Sequence, residues 1–108
     1  MACEIIGNMI ELGRIALENR DFATATEIFS NAIIEENSID PNYWSCLAES
    51  LFYQAQFESS LRCWHEAASK DPTNKIIWIR ISALYALLDQ EDLAIHYYQI
   101  AEGLPVEG

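Results

Sequence analysis

The chain repeats itself at a period of 34 residues. That constrains its fold more than any other property, because a fixed period of this length marks an array of like units rather than one irregular core. Trp44, Leu47, Leu51, Ser60, Trp64 and Ala67 return 34 residues later as Trp78, Ile81, Tyr85, Ala94, Tyr98 and Ala101. In the other direction, Leu12, Gly13, Ala16, Ala25, Phe29 and Ala32 precede Leu47, Ala48, Leu51, Ser60, Trp64 and Ala67 by 35. Between the second and third units size class is kept. The three units run from about residue 6 to 40, 41 to 74 and 75 to 108, one domain spanning 1–108.

Inside a unit the apolar spacing is helical. Leu47, Leu51 and Phe52 follow Trp44 at i+3, i+7 and i+8, while Leu61, Trp64 and Ala68 follow Phe57 at i+4, i+7 and i+11. Each unit is therefore expected to be two helices, giving an all-α chain of about six. Asp40-Pro41 supplies an N-cap followed by proline at the first helical position. Asp21 and Asp89 predict second helices opening near Phe22 and Gln90, and Asp71-Pro72 closes the second unit. Small residues at Gly13, Ala48 and Ser82, opposed by Ala25, Ser60 and Ala94, let paired backbones approach while Phe29, Trp64 and Tyr98 fill the space below.

These residues resemble the tetratricopeptide repeat, whose 34-residue signature runs Trp, Leu, Gly, Tyr, Ala, Phe, Ala, Pro. The second unit matches best, through Trp44, Leu47, Ala48, Leu51, Ala67 and Pro72. Met9 replaces the aromatic of the first unit, Asn37 a closing proline, and Asp89 a turn glycine. The resemblance covers nearly the whole chain and implies a right-handed superhelix of three helix-turn-helix units.

Composition excludes several function classes. With 17 Asp+Glu against 6 Lys+Arg, the net charge is −11, which disfavours nucleic acid and anionic membrane surfaces, where affinity comes from Lys and Arg. Hydrophobic residues make up 51% of the chain, with only 4 Gly and 3 Pro, so there is enough apolar surface for a core. The stretch from Ile76 to Leu88 contains Arg80 and falls short of the roughly 20 residues that membrane insertion by a helix needs. Met1-Ala2-Cys3-Glu4 shows no export signal, and Cys3, Cys46 and Cys63 form neither a Cys-x-x-Cys pair nor an even set. A reduced, cytoplasmic protein is expected.

His65-Glu66 opens like a helical zinc-protease motif, but Ser69 stands where the second histidine would be, so His65 reads as a surface residue. His96 has no ligand-spaced partner, and Cys46 no nearby histidine to activate it. Glu35-Glu36 and Glu91-Asp92 are adjacent pairs at helix termini, explained by solvation and the helix dipole. No catalytic, metal or cofactor set emerges, and the reading is of a non-enzyme.

Tetratricopeptide arrays bind proteins on a concave surface lined by first helices. Mapped by that resemblance, the groove comprises Ile10, Arg14, Cys46, Glu49, Phe52, Ile76, Ile79, Arg80 and Leu87, with Leu17, Ser45 and Ala83 beside them. Of these, Leu17 and Ala83 are expected to be buried; Ile10, Phe52 and Ile79 face away from their second helices. A subgroup of the family grips chaperone C-terminal carboxylates with two Lys, two Asn and one Arg. The corresponding residues are Ile10, Arg14, Cys46, Ile76 and Arg80, so only Arg80 matches, and losing the others at roughly 1–3 kcal/mol each abolishes that ligand.

The groove instead suits an apolar helix or extended segment of a protein partner, with Arg14 and Arg80 pairing acidic residues on it. Size, acidity, repeat number and groove character look like the tetratricopeptide-type chaperones of bacterial type III secretion, which hold a needle subunit or translocator before export. A general scaffold or adaptor in a multiprotein assembly is the alternative. Ile5, Ile6, Met9 and Ile10 at one end, and the short sequence after Glu102 at the other, leave apolar edges open to a second small subunit or a homodimer. Equally, Leu104 and Val106 could fold back to cover the last helix.

Overall fold

The computed structural model describes the backbone of residues 2–36 and 40–105 and the side chains of residues 10–35 and 40–105. Expectations about Ile5, Ile6, Met9, Asn37 and Val106 lie outside these described side chains. Six helices follow in order: α1 (Ala2–Glu18), α2 (Phe22–Glu36), α3 (Pro41–Tyr53), α4 (Phe57–Lys70), α5 (Lys75–Leu87) and α6 (Glu91–Gly103). They pack as α1 on α2, α3 on α4 and α5 on α6, with α2 against α3 and α4 against α5 joining the pairs. The fold is all-α, three helix-turn-helix units stacked in series.

Local chemistry sets the helix ends. Asp40 caps α3, its carboxylate accepting from the Asn42 amide at 2.9 Å, and Pro41 takes the first turn, where no amide is needed. Asn74 caps α5 through the Ile76 amide at 3.1 Å, and Asp21 accepts from the Thr24 amide at 3.3 Å. The last helix, expected near Gln90, begins at Glu91 with Gln90 as its cap, and Asp89 just before it has a left-handed backbone with φ 58°, in the turn where the repeat signature has glycine. Arg20 and Ala55 hold the same place in the earlier units, each at φ 62°. The turn between paired helices demands that conformation, and three non-glycine residues accept its steric cost.

The small residues do what their spacing implies, by a mechanism that spacing does not reveal. Ser60 on α4 donates to the Ala48 carbonyl on α3 at 2.6 Å, and Ser82 on α5 donates to the Ala94 carbonyl on α6 at 2.6 Å. The hydroxyl changes helix between units, yet the bond spans the pair each time. In the first unit there is no hydroxyl; a Cβ on Gly13 would stand 2.7 Å from the Phe29 ring, so glycine makes room for that ring. Phe29 and Trp64 are 0% and 4% exposed, whereas Tyr98, at the same place in the third unit, is 49% exposed and fills no enclosed space.

The two junctions between units differ in character. Between the first and second, Gln54 Nε2 reaches from α3 to the Phe22 carbonyl (3.2 Å) and Thr26 Oγ1 (2.7 Å) on α2, beside a stacked Phe22–Tyr53 pair. Between the second and third, His65 of α4 meets Tyr85 of α5 and Tyr97 of α6 edge-on, and inside the third unit Tyr97 stacks on both Trp78 and Tyr85. His65 Nε2 hydrogen-bonds the Tyr85 hydroxyl at 3.0 Å. His65 is therefore half-buried in a junction, not the surface residue its isolation in sequence implied. Burial lowers its pKa from the ordinary 6.5. Trp78 Nε1 donates to the Pro72 carbonyl at 2.7 Å, while Trp44 Nε1 has no partner among the described residues; its repeat-equivalent acceptor, Ser38, lies outside them.

Candidate functional site

A cleft of about 470 Å³ opens between α3 and α5, lined by Glu49, Phe52 and Tyr53 from α3, Arg80, Ala83, Leu84, Ala86 and Leu87 from α5, and floored by Trp64 from α4. Its walls are repeat-matched. Glu49, Phe52 and Tyr53 stand 34 residues before Ala83, Ala86 and Leu87, so identical places on consecutive first helices face one space. Large side chains stand on α3 and two alanines on α5. The cleft exists because those alanines leave unfilled the volume that side chains of Phe52's size would take.

Of the nine groove residues read from the sequence, Glu49, Phe52, Arg80 and Leu87 line this cleft. Arg14 and Cys46 lie within electrostatic reach of it: Cys46 is shielded by burial, which raises its thiol pKa, with Glu49 adding to that shift and Arg14 opposing it. Its thiol is protonated at neutral pH and is not a nucleophile. Cys63, deep in α4, is pushed up to about 11, chiefly by burial. Ile10 is half-buried and packs against the core. Ile76 and Ile79 are exposed beyond the cleft, on the α5 strip that continues through Arg80, Ala83 and Leu87 at helical spacing.

Ala83 corrects an expectation, because it is exposed and lines the cleft. Leu17 is half-buried against the core. Tyr53 and Ala86 were not nominated. The 34-residue offset carries the signal for both, since they are the counterparts of Leu87 and Phe52, which were. Trp64, read as core alone, also supplies the floor.

Electrostatically, the cleft is an apolar trough with one charge of each sign. Neither Arg80 nor Glu49 has an ion-pair partner among the described residues. Phe52 is held in place by Phe57 (5.5 Å between centroids) and edge-on by Tyr53 (5.5 Å), so its wall is preformed. Such a surface excludes water from an inserted side chain and offers Arg80 to an acidic neighbour. Among the described residues no group of three His, Cys, Asp or Glu is placed to hold a metal ion, and no helix is long and apolar enough to cross a membrane.

Comparison with known proteins fixes the architecture. No protein-family model matches the chain. The peroxisomal targeting signal receptor of Candida glabrata is 26% identical over 76 residues, which is 70% of this chain and 13% of that protein. Among solved structures, a chain of the CopN–Scc3 complex superposes with a TM-score of 0.86 at 17% identity, over 91% of this chain and 57% of that one. MamA from Desulfovibrio magneticus gives 0.84 at 14% identity, over 89% and 54%. The TPR2B domain of yeast Sti1, solved in complex with an Hsp70 peptide, gives 0.82 at 18% identity, over 89% and 76%. The chain thus spans about half the length of the first two structures and a small part of the receptor. Together with the helix order and the 34-residue register, these likenesses give the chain a tetratricopeptide-like fold of three stacked helix pairs.

Proposed function

We propose that the protein is a protein-interaction module whose α3–α5 cleft holds an apolar helical or extended segment of a partner. The observation that carries this reading is a preformed trough, walled by Phe52, Tyr53 and Leu87, whose one cation, Arg80, is without an ion-pair partner among the described residues. Burying an apolar side chain of the partner contributes about 1.5–3 kcal/mol, more than the 0–1 kcal/mol of an exposed ion pair. Apolar contacts therefore set affinity, and Arg80 and Arg14 set register. Ile76 and Ile79 extend the contact along α5. The Hsp70-peptide mode of Sti1 does not carry over, since Ile10, Arg14, Cys46 and Ile76 stand where a carboxylate clamp needs lysines and asparagines.

The more specific form of the proposal is a cytoplasmic chaperone that shields an export substrate of a type III secretion system, a needle subunit or translocator. A net charge of −11 and likeness to a chain of the CopN–Scc3 complex support it. A general scaffold is the second reading, supported by similarity to a stretch of a targeting-signal receptor. Native mass spectrometry of the protein purified from its own host separates them. A 1:1 complex with one small secreted subunit supports the chaperone; recovery only within a large stable assembly supports the scaffold. The cleft itself is tested by Ala83→Phe and Leu87→Asp, both at exposed sites. Each should weaken partner binding by at least about 100-fold with helicity and Tm unchanged. Unchanged binding in both variants would refute the assignment of this surface.

A further inference from the structure

Both ends of the described stack expose the surface that each internal junction buries, and the two ends are complementary. On α1, Leu12 and Ile15 are 55% and 45% exposed. Their counterparts on α3, Leu47 and Ser50, and on α5, Ile81 and Leu84, are buried where those helices pack on the preceding unit. On α6, Ile95 and Tyr98 are 52% and 49% exposed. Their counterparts on α2 and α4 include Phe29 and Trp64, each on a helix that the next unit covers. A depression of about 370 Å³ between α5 and α6, which includes Ser82, Ala86, Ile95 and Tyr98, marks where a following first helix would sit.

We infer that a second copy of this chain occupies that seat, α1 of one copy packing on α6 of the next and continuing the superhelix from molecule to molecule. The argument is one of continuity: Leu12 and Ile15 repeat, in register, the side of α3 and α5 that already packs on α2 and α4 inside one chain. The interface is heterologous, one face meeting a different one, so it does not close at two copies. None of its four residues lines the α3–α5 cleft, although Ala86 borders both the cleft and the seat. Like charge opposes the contact, since each copy carries −11 and the α6 end presents Glu91, Asp92 and Glu102, all exposed. Association therefore strengthens as salt screens that repulsion.

Sedimentation of the 108-residue chain across concentration and ionic strength tests the inference. The weight-average mass should rise with concentration without a plateau at two copies, and rise further from low to high salt. Leu12→Glu and Tyr98→Glu, at exposed positions, each remove one face and should raise the concentration for half-association by about 100-fold or more, with circular dichroism unchanged. Mixed together, the two variants retain one intact pair of faces and should form a 1:1 heterodimer that goes no further. A chain that stays monomeric up to millimolar concentration overturns the inference, the end faces then belonging to a different protein. So does a Leu12→Glu variant that still dimerises, which would mark a symmetric α6–α6 contact, or a mixture that gives no heterodimer.

Discussion

Trp64 and Tyr98 occupy one position in consecutive units, are both large aromatics and both follow a small residue that seats their helix on its partner. Trp64 is 4% exposed and Tyr98 49%. The difference does not come from the residue or its own helix pair. It comes from α5, which packs over α4, while no described helix packs over α6. In an array, burial belongs to the neighbour as much as to the side chain, so equal sequence signals carry unequal energies.

The largest expected effect follows directly. Trp64→Ala should cost about 3–5 kcal/mol out of a total of roughly 5–15, whereas Tyr98→Ala should stay near 0.5 kcal/mol, as measured by denaturant unfolding under conditions that keep the chain monomeric. Comparable losses at the two sites would break the comparison. Next come Gly13 and Gly103. Gly13→Ala puts a methyl 2.7 Å from the Phe29 ring and should cost about 1–3 kcal/mol, while at Gly103 a Cβ meets nothing within 4 Å, so Gly103→Ala should be neutral or stabilising by up to about 1 kcal/mol.

Ser60→Ala and Ser82→Ala each remove a side-chain hydrogen bond to a helical carbonyl that joins the paired helices and should cost about 1 kcal/mol apiece. Near equality would show that the intra-unit bond, unlike the aromatic, is indifferent to the neighbour. The smallest effect is the pH response of the second junction. His65 has a folded-state pKa below its ordinary 6.5, so the unfolded chain binds more protons in between. Its contribution to stability is present above pH 6.5 and is lost as pH falls through the folded-state value. Unfolding midpoints should drop over that interval, and His65→Gln should flatten the drop while lowering stability near pH 8 through the lost ring contacts with Tyr85 and Tyr97. A slope that survives the substitution assigns the pH response elsewhere.

The sequence made the helices, the register and much of the cleft legible for one reason: all three depend on the 34-residue offset and on residue size. Asp40-Pro41 marked the start of α3 because cap chemistry is local. Asp89 was legible as the stand-in for a turn glycine because an aspartate tolerates the left-handed backbone that the turn requires. His65 looked solitary since its partners, Tyr85 and Tyr97, come from two other helices. Ala83 was expected to be buried; it is exposed, and its small size leaves the cleft open. The seat of Tyr98 was invisible for the reason the comparison gives, since no residue announces what will cover it.

The hydroxyl that changes helix between units has a consequence for how such sequences vary. Ser60 pairs with Ala48, and Ala94 pairs with Ser82, so serine and alanine trade places while a donor-to-carbonyl bond of 2.6 Å persists. What is held constant is the pair, and neither position alone. The double exchange Ala48→Ser with Ser60→Ala should therefore recover most of the stability that Ser60→Ala loses, a coupling that a double-mutant cycle measures. Residues twelve apart would then drift together in related chains, each looking variable when aligned singly.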